Sequence, residues 1–241
     1  VSSSTSLTIA LLRALVTAQQ LPCLTSPQLA RMAQRIEHDF IGTKCGIMDQ
    51  MVVAAAKPGA CMMLDCRSLD YKLMPMLAGH AVVVVHSGNV RKLSNSIYNQ
   101  RLAECAAAAR TLGVDSLRDA TIEMLRKFAP DTKIKRAKHV ISENLRVLAA
   151  VECLVRKDAS GLGGLMDESH DSLRNDYEVS SPALDRLVGS LRDAGALGAR
   201  LTGAGFGGCV LALCETASVD TIISRAVETN PDSYLIDLIC S

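Results

Sequence analysis

Two patterns of apolar residues alternate along the chain, long stretches with helical period and short unbroken runs. Leu7, Ala10, Leu11, Ala14 and Leu15 recur at helical spacing behind the hydroxyl run Ser2-Ser3-Ser4-Thr5-Ser6, whose side chains suit a helix start. Ser26-Pro27 opens a second helix with Pro at its first position, and Leu29, Met32, Ala33, Ile36, Glu37 and Phe40 follow. A third runs from beyond Gly42 through Ala56 to the stop Pro58-Gly59. Leu93 to Leu112 reads as a fourth, with Ile97, Leu102, Ala106 and Ala109 on one face and Gly113 at its end. Pro130-Asp131 precedes a long helix from Thr132 to Lys157, and shorter helices are expected at 161–173, 182–194 and 216–228. Cys61–Leu64 and Ala81–Val85 are unbroken apolar runs bounded by turn residues, the pattern of buried strands. Two more strands flank the loop Gly203-Ala204-Gly205-Phe206-Gly207-Gly208, and a last one is expected at 234–239.

Composition narrows what such a mixed chain does. Its 241 residues suffice for one large core or two modest ones, and a net charge of +1 gives no footprint for nucleic acid. With no Trp, four Tyr and three Phe, a base-stacking surface is also excluded, and the core must be built from aliphatic residues and Met. Nine cysteines at 23, 45, 61, 66, 105, 153, 209, 214 and 240 form no C-x-x-C pair and no zinc-finger spacing, which reads as a reduced, cytoplasmic protein. No apolar run approaches 18 residues and no signal peptide is evident, so no membrane partner is expected.

The candidate chemistry centres on Lys44-Cys45-Gly46-Ile47-Met48-Asp49-Gln50. Asp49 lies among apolar neighbours, where a carboxylate loses solvation and must find a partner or a proton. It reads either as a functional acid or as the cap of a buried helix. Gly46 leaves room for a ligand or another backbone. The serine run can cap its helix or bind an anion at the positive end of the dipole. Glu37 is open between a buried ligand and a solvated face, and Tyr98 between a ligand contact and a core residue with a wet tip. The basic start of the long helix (Lys133, Lys135, Arg136, Lys138, His139) opposes the helix dipole, and a solvated face is its default reading. The glycine loop lets backbone amides approach a ligand or another loop closely, but it is no Walker motif.

Several of these stretches together resemble one family. Ser2–Ser6 is similar to the tail of the phosphate loop, Pro-x-x-x-Gly-Leu-Ser-Ser-Ser, of the galactokinase, homoserine kinase, mevalonate kinase and phosphomevalonate kinase (GHMP) superfamily. Cys45–Gln50 and Leu64-Asp65-Cys66-Arg67-Ser68-Leu69 resemble its galactokinase branch, and Arg200–Cys209 resembles the superfamily's third motif. Smaller matches lie at Tyr98-Asn99-x-Arg101, Arg118–Thr121, Glu143-Asn144 and Glu168-Ser169-His170.

The resemblance implies an α+β fold of two lobes with the active site between them. The N-terminal, ATP-binding lobe (1–80) is incomplete, and the C-terminal lobe (81–241) is ferredoxin-like. It implies ATP-dependent phosphorylation of the anomeric hydroxyl of galactose, with ATP and Mg2+ as cofactors and a monomeric protein whose partners are small molecules. Asp49 matches the acid that takes or orients the anomeric proton, and Gly46, Asp49 and Tyr98 match contacts to the sugar. Ser2, Ser3 and Ser4 match the nucleotide-phosphate loop, Ser4 and Glu37 the magnesium ligands, and Gly203, Gly205 and Gly207 the supporting glycine loop. The family's upstream Arg-x-Asn-x-Ile-Gly-Glu-His-x-Asp-Tyr stretch has no counterpart, and Val1 stands where the loop's Leu is expected. The chain is therefore expected to be part of a longer protein and inactive alone. A kinase for N-acetylgalactosamine, galacturonate or arabinose, or a non-catalytic sugar and ATP sensor, are the alternatives.

Overall fold

A computed structural model describes residues 2–42, 45–89 and 94–240, with backbone alone at 41, 94–96 and 98. The chain divides into two compact units, Val1–Pro75 and Met76–Ser241.

In the first unit, α1 (Ser3–Ala18), α2 (Ser26–Ile36) and α3 (Met48–Ala55) precede an antiparallel ribbon of β1 (Ala60–Leu64) and β2 (Tyr71–Pro75). Thr25 and Gln28 form a reciprocal capping box at the start of α2, one residue ahead of the expected Ser26, with Pro27 in the first turn. Ile9 and Leu12 of α1, Leu29, Ala30 and Ala33 of α2, and Met51 and Ala54 of α3 close on one another around Ile47 and Leu69. The Leu7, Leu11 and Leu15 stripe of α1 is exposed; the buried face carries Thr5, Ile9 and Leu12. Phe40 and Met32 also leave the expected apolar stripe of the second helix. At Glu37–Ile41 the helix continues as a π turn, whose extra residue per turn rotates the face, and Phe40 is 84 % exposed. β1 is half-buried where a buried strand was expected, because a two-stranded ribbon covers only part of it. Asp65 closes the ribbon's turn: its Oδ1 accepts the Arg67 and Ser68 amides, and Leu69, in a left-handed conformation, drops into the core.

The second unit is built on an antiparallel sheet of β3 (His80–His86), β4 (Gly198–Thr202), β5 (Cys209–Glu215) and β6 (Tyr234–Cys240) in the order β4-β5-β3-β6. This is the ferredoxin-like order expected. Between β3 and β4 lie the α-helices α4 (Ser94–Leu112), α5 (Ile122–Leu125), α6 (Thr132–Arg156), α7 (Ala159–Asn175) and α8 (Pro182–Asp193). α9 (Val219–Thr229) joins β5 to β6. Alternate residues of three strands (Ala81, Val83, Val85; Ala199, Leu201; Val210, Ala212, Cys214) pack with Leu184, Leu187, Val188 and Leu191 of α8 and Ile222 and Ala226 of α9. Period two on the strands and three to four on the helices make this core.

Two expectations for the helices fail for one reason. Leu102 and Ala106 of α4 are exposed, and the buried positions are Arg101, Ala108, Ala109 and Leu112. At the basic start of α6, Lys133, Lys135 and Lys138 face solvent as expected, but Arg136 is 1 % exposed and His139 is buried. Arg136 pairs with Glu104 at 2.7 Å and Glu178 at 2.8 Å and donates to the Asp176 carbonyl. Arg101 donates to the Tyr177 and Glu178 carbonyls. Desolvation of each guanidinium is offset by carbonyls and carboxylates, most of them far away in sequence, although Arg101 also pairs with Glu104 of its own helix at 3.0 Å. His139 stacks on Tyr177, and burial lowers its pKa to about 4, which keeps it neutral.

α7 seals the open side of β4. The Ala199 amide donates to Asp167, and the Leu201 amide donates to Nδ1 of His170, whose Nε2 faces Asp185 at 3.2 Å. Backbone meets backbone where helix and strand cross: a Cβ on Gly163 would overlap the Leu197 carbonyl, whereas one on Gly164 would meet nothing within 4 Å. Gly163→Ala is expected to destabilise the protein by about 1–3 kcal/mol through forced separation of α7 and β4. Gly164→Ala should stabilise it by about 0.5–1 kcal/mol through helix propensity. Denaturant unfolding of both variants checks the pair; equal effects would contradict the contact.

Candidate active site

The sequence places a hydroxyl run at the head of α1, and folding brings two carboxylates to it. Ser2 precedes α1 in a left-handed conformation, and its Oγ donates to Asp49 Oδ2 at 2.7 Å instead of capping its own helix. Asp49 does not cap α3 either: that helix starts from Ile47 without a side-chain cap. Its carboxylate thus answers a hydroxyl 47 residues away, and the local capping alternative falls. The first turn of α1 has no side-chain cap and no acidic residue, so its amides and the positive end of the dipole remain available to an anion. Ser3 and Ser4 are exposed there.

Glu37 is 5 % exposed, which decides against a solvated face. One carboxylate oxygen accepts Thr5 Oγ1 at 2.7 Å and Ser4 Oγ at 3.3 Å; the other accepts Gln50 Nε2 and Cys45 Sγ, each at 3.0 Å. Ser4 and Glu37 fit a hard divalent cation. Both offer oxygen, and their 3.3 Å spacing is close to the roughly 2.9 Å between neighbouring ligands of a six-coordinate Mg2+. No group of three or more His, Cys, Asp or Glu able to hold a metal occurs among the described residues, so any such ion would depend on ligands beyond carboxylates.

Thr5, Cys45 and Gln50 are the partners that sequence reasoning passed over, although Cys45 and Gln50 lie inside the central motif. Their signal was only that a buried Glu37 would need donors. Gly46 is exposed, and a Cβ there would meet nothing within 4 Å, so packing of the unit does not require glycine at that position. Lys44 and the Tyr98 side chain lie outside the described residues.

In the second unit, the glycine loop joins β4 to β5. Phe206, in a left-handed conformation, donates its amide to the Val179 carbonyl at 2.7 Å, and a Cβ on Gly205 would overlap that carbonyl. The Ser87 amide donates to the Gly208 carbonyl, and the Gly208 amide to Asn89. The loop is therefore seated between residues 177–179, themselves held by Arg101, and the end of β3. Elsewhere in this unit, Glu143 accepts Ser169 and pairs with Arg146 and with Arg200 of β4, which hold its carboxyl below the usual range despite burial.

These features meet in one family. Residues 1–57 match the GHMP kinases N terminal domain and residues 150–232 match GHMP kinases C terminal. The chain belongs to the GHMP kinase family. It is 44 % identical over 203 residues to a galactokinase of Roseiflexus sp. (strain RS-1), a match covering 80 % of this chain and 52 % of that protein. Lactococcus lactis galactokinase, solved complexed with galactose, superposes with a TM-score of 0.91 at 31 % identity, covering 100 % of this chain and 66 % of that one. Mevalonate kinase of L. major, solved with R-mevalonate, shares the fold at a TM-score of 0.66 and 22 % identity, covering 99 % and 65 %. The chain spans about half the length of the curated galactokinase it matches.

The Glu37 cluster leaves a mark on Cys45. Burial, with the Glu37 hydrogen bond and charge adding to it, pushes the Cys45 thiol up to about 11. A thiol held protonated is a poor nucleophile. At pH 8, iodoacetamide is expected to label the exposed Cys23 and Cys240 at least tenfold faster than Cys45, as mapped by peptide mass spectrometry. Equal labelling rates would contradict the Glu37–Cys45 contact.

Proposed function

We propose that the protein transfers the γ-phosphoryl group of ATP to the anomeric hydroxyl of galactose, giving galactose 1-phosphate and ADP. The observation that carries this reading is the convergence at the head of α1. A helix start with open amides, a hydroxyl–carboxylate pair at Ser4 and Glu37, and a second carboxylate at Asp49 meet in a chain 44 % identical to a galactokinase. Phosphoryl transfer needs little covalent help and is carried by positioning and charge neutralisation.

Each residue has a part. The amides of Ser2, Ser3 and Ser4 bind nucleotide phosphate at the positive end of α1. Asp49 accepts or orients the proton of the anomeric hydroxyl as the new O–P bond forms and the bond from phosphorus to the ADP oxygen breaks. Ser2 fixes the orientation of that carboxylate through Oδ2. Ser4 and Glu37 would hold Mg2+, which when bound neutralises charge on the phosphates. Gly46 and Tyr98 contact the sugar, and Gly203, Gly205 and Gly207 give the supporting loop its shape. A reduced, cytoplasmic setting goes with this reading, and among the described residues no helix is long and apolar enough to cross a membrane.

The test is ATP consumption by the full-length protein with galactose, N-acetylgalactosamine, galacturonate and arabinose, with product identified by phosphorus NMR. Galactose is expected to give the highest kcat/KM; preference for another sugar replaces the substrate, and sugar and ATP binding without turnover turns the reading into a sensor. Asp49→Asn retains an acceptor for Ser2 but not the base. Turnover should fall at least about a hundredfold with galactose binding largely intact. Near-normal turnover in that variant would make Asp49 structural.

A further inference from the structure

Gln50 is fully buried, and its two ends fare differently. The amide nitrogen donates to Glu37 Oε2 at 3.0 Å and approaches Cys45 Sγ at 3.3 Å, while the amide oxygen is buried without a hydrogen-bond partner among the described residues. The reverse orientation would set that oxygen against the Glu37 carboxylate, so the network fixes this one. An unpaired buried acceptor is a standing cost that a Met or Leu of similar size would avoid. Filling the core therefore does not explain a Gln here; its contact with Glu37 does.

From this geometry we infer that Gln50, assisted by Cys45, is a positioning residue for the metal-binding face of Glu37. Together they hold Oε2, which leaves Oε1 turned to Ser4 and Thr5 at the head of α1. Because Gln50 follows Asp49 on α3, one turn of helix sets both the proton acceptor and the cation ligand. Thr5 reaches Glu37 from a fixed helix and restrains Oε1 against rotation from the other side. Groups that orient a metal ligand commonly set affinity as strongly as ten- to a hundredfold. The inference rests on the magnesium role proposed for Glu37.

The experiment is Mn2+ binding to the protein with saturating ADP, read as loss of the free-ion electron paramagnetic resonance signal, beside thermal unfolding without metal. Gln50→Met should bind Mn2+ at least tenfold more weakly while unfolding within a few degrees of the wild type, since it removes the orphaned oxygen along with the donor. Cys45→Ala should weaken binding by a smaller factor, and Cys45→Ser, which keeps a donor, should not. Wild-type affinity in Gln50→Met overturns the inference and leaves the Glu37 reading standing. No Mn2+ uptake by the wild type overturns the Glu37 reading and the inference with it. Should Gln50→Met fail to fold, the Cys45 pair decides: weakening in Ala alone supports the inference, and equal affinity in both refutes it.

Discussion

A carboxylate buried at Glu37 is the constraint that organises the first unit. An ionised group taken out of water must be matched by donors, and here they come from three separate places: Ser4 and Thr5 on α1, Cys45 after the π turn, and Gln50 on α3. Satisfying Glu37 therefore fixes the head of α1 relative to α3. Asp49, next to Gln50, is carried into reach of Ser2 by the same arrangement. The apolar cluster of Ile9, Leu12, Leu29, Met51 and Ala54 supplies stability; the polar contacts decide which rotation of each helix it accepts.

The second unit uses buried charge in the same manner, but spends it on backbone. Arg101 and Arg136 hold the carbonyls of Asp176, Tyr177 and Glu178, and Val179 then receives the amide of Phe206 in the glycine loop. Glu178 and Phe206 both adopt left-handed conformations that are uncommon for a non-glycine residue. The glycines are needed where the loop passes a carbonyl too closely for a side chain, as Gly205 does at Val179. Shape in this loop comes from its seat as well as from its composition.

The elements themselves were legible from local pattern. Period and punctuation located α1, α2, α4, α6 and the strands around the glycine loop to within a few residues, whereas the helix expected from beyond Gly42 starts only at Met48. β2 was missed because Tyr71-Lys72-Leu73 carries no unbroken apolar run and pairs only as one side of a ribbon. Faces were harder than elements. Arg136 reads as a surface cation until Glu104 and Glu178, 32 and 42 residues away, are brought to it. Likewise Asp49 and Glu37 stood out as carboxylates in apolar company, but their partners at Ser2, Thr5 and Gln50 depend on packing that no local spacing encodes. What could be read was that a partner was required; which residue met the requirement came from the fold.

The role proposed for Glu37 is to couple the head of α1 to a divalent cation. Titrating Mg2+ against ATP binding in the wild type and in Glu37→Gln tests it most directly. Because the substitution removes the charge and turns one acceptor into a donor facing existing donors, half-saturation is predicted to need at least about tenfold more Mg2+ in the variant. Overlapping titration curves would remove the cation from Glu37 and return it to a purely structural role.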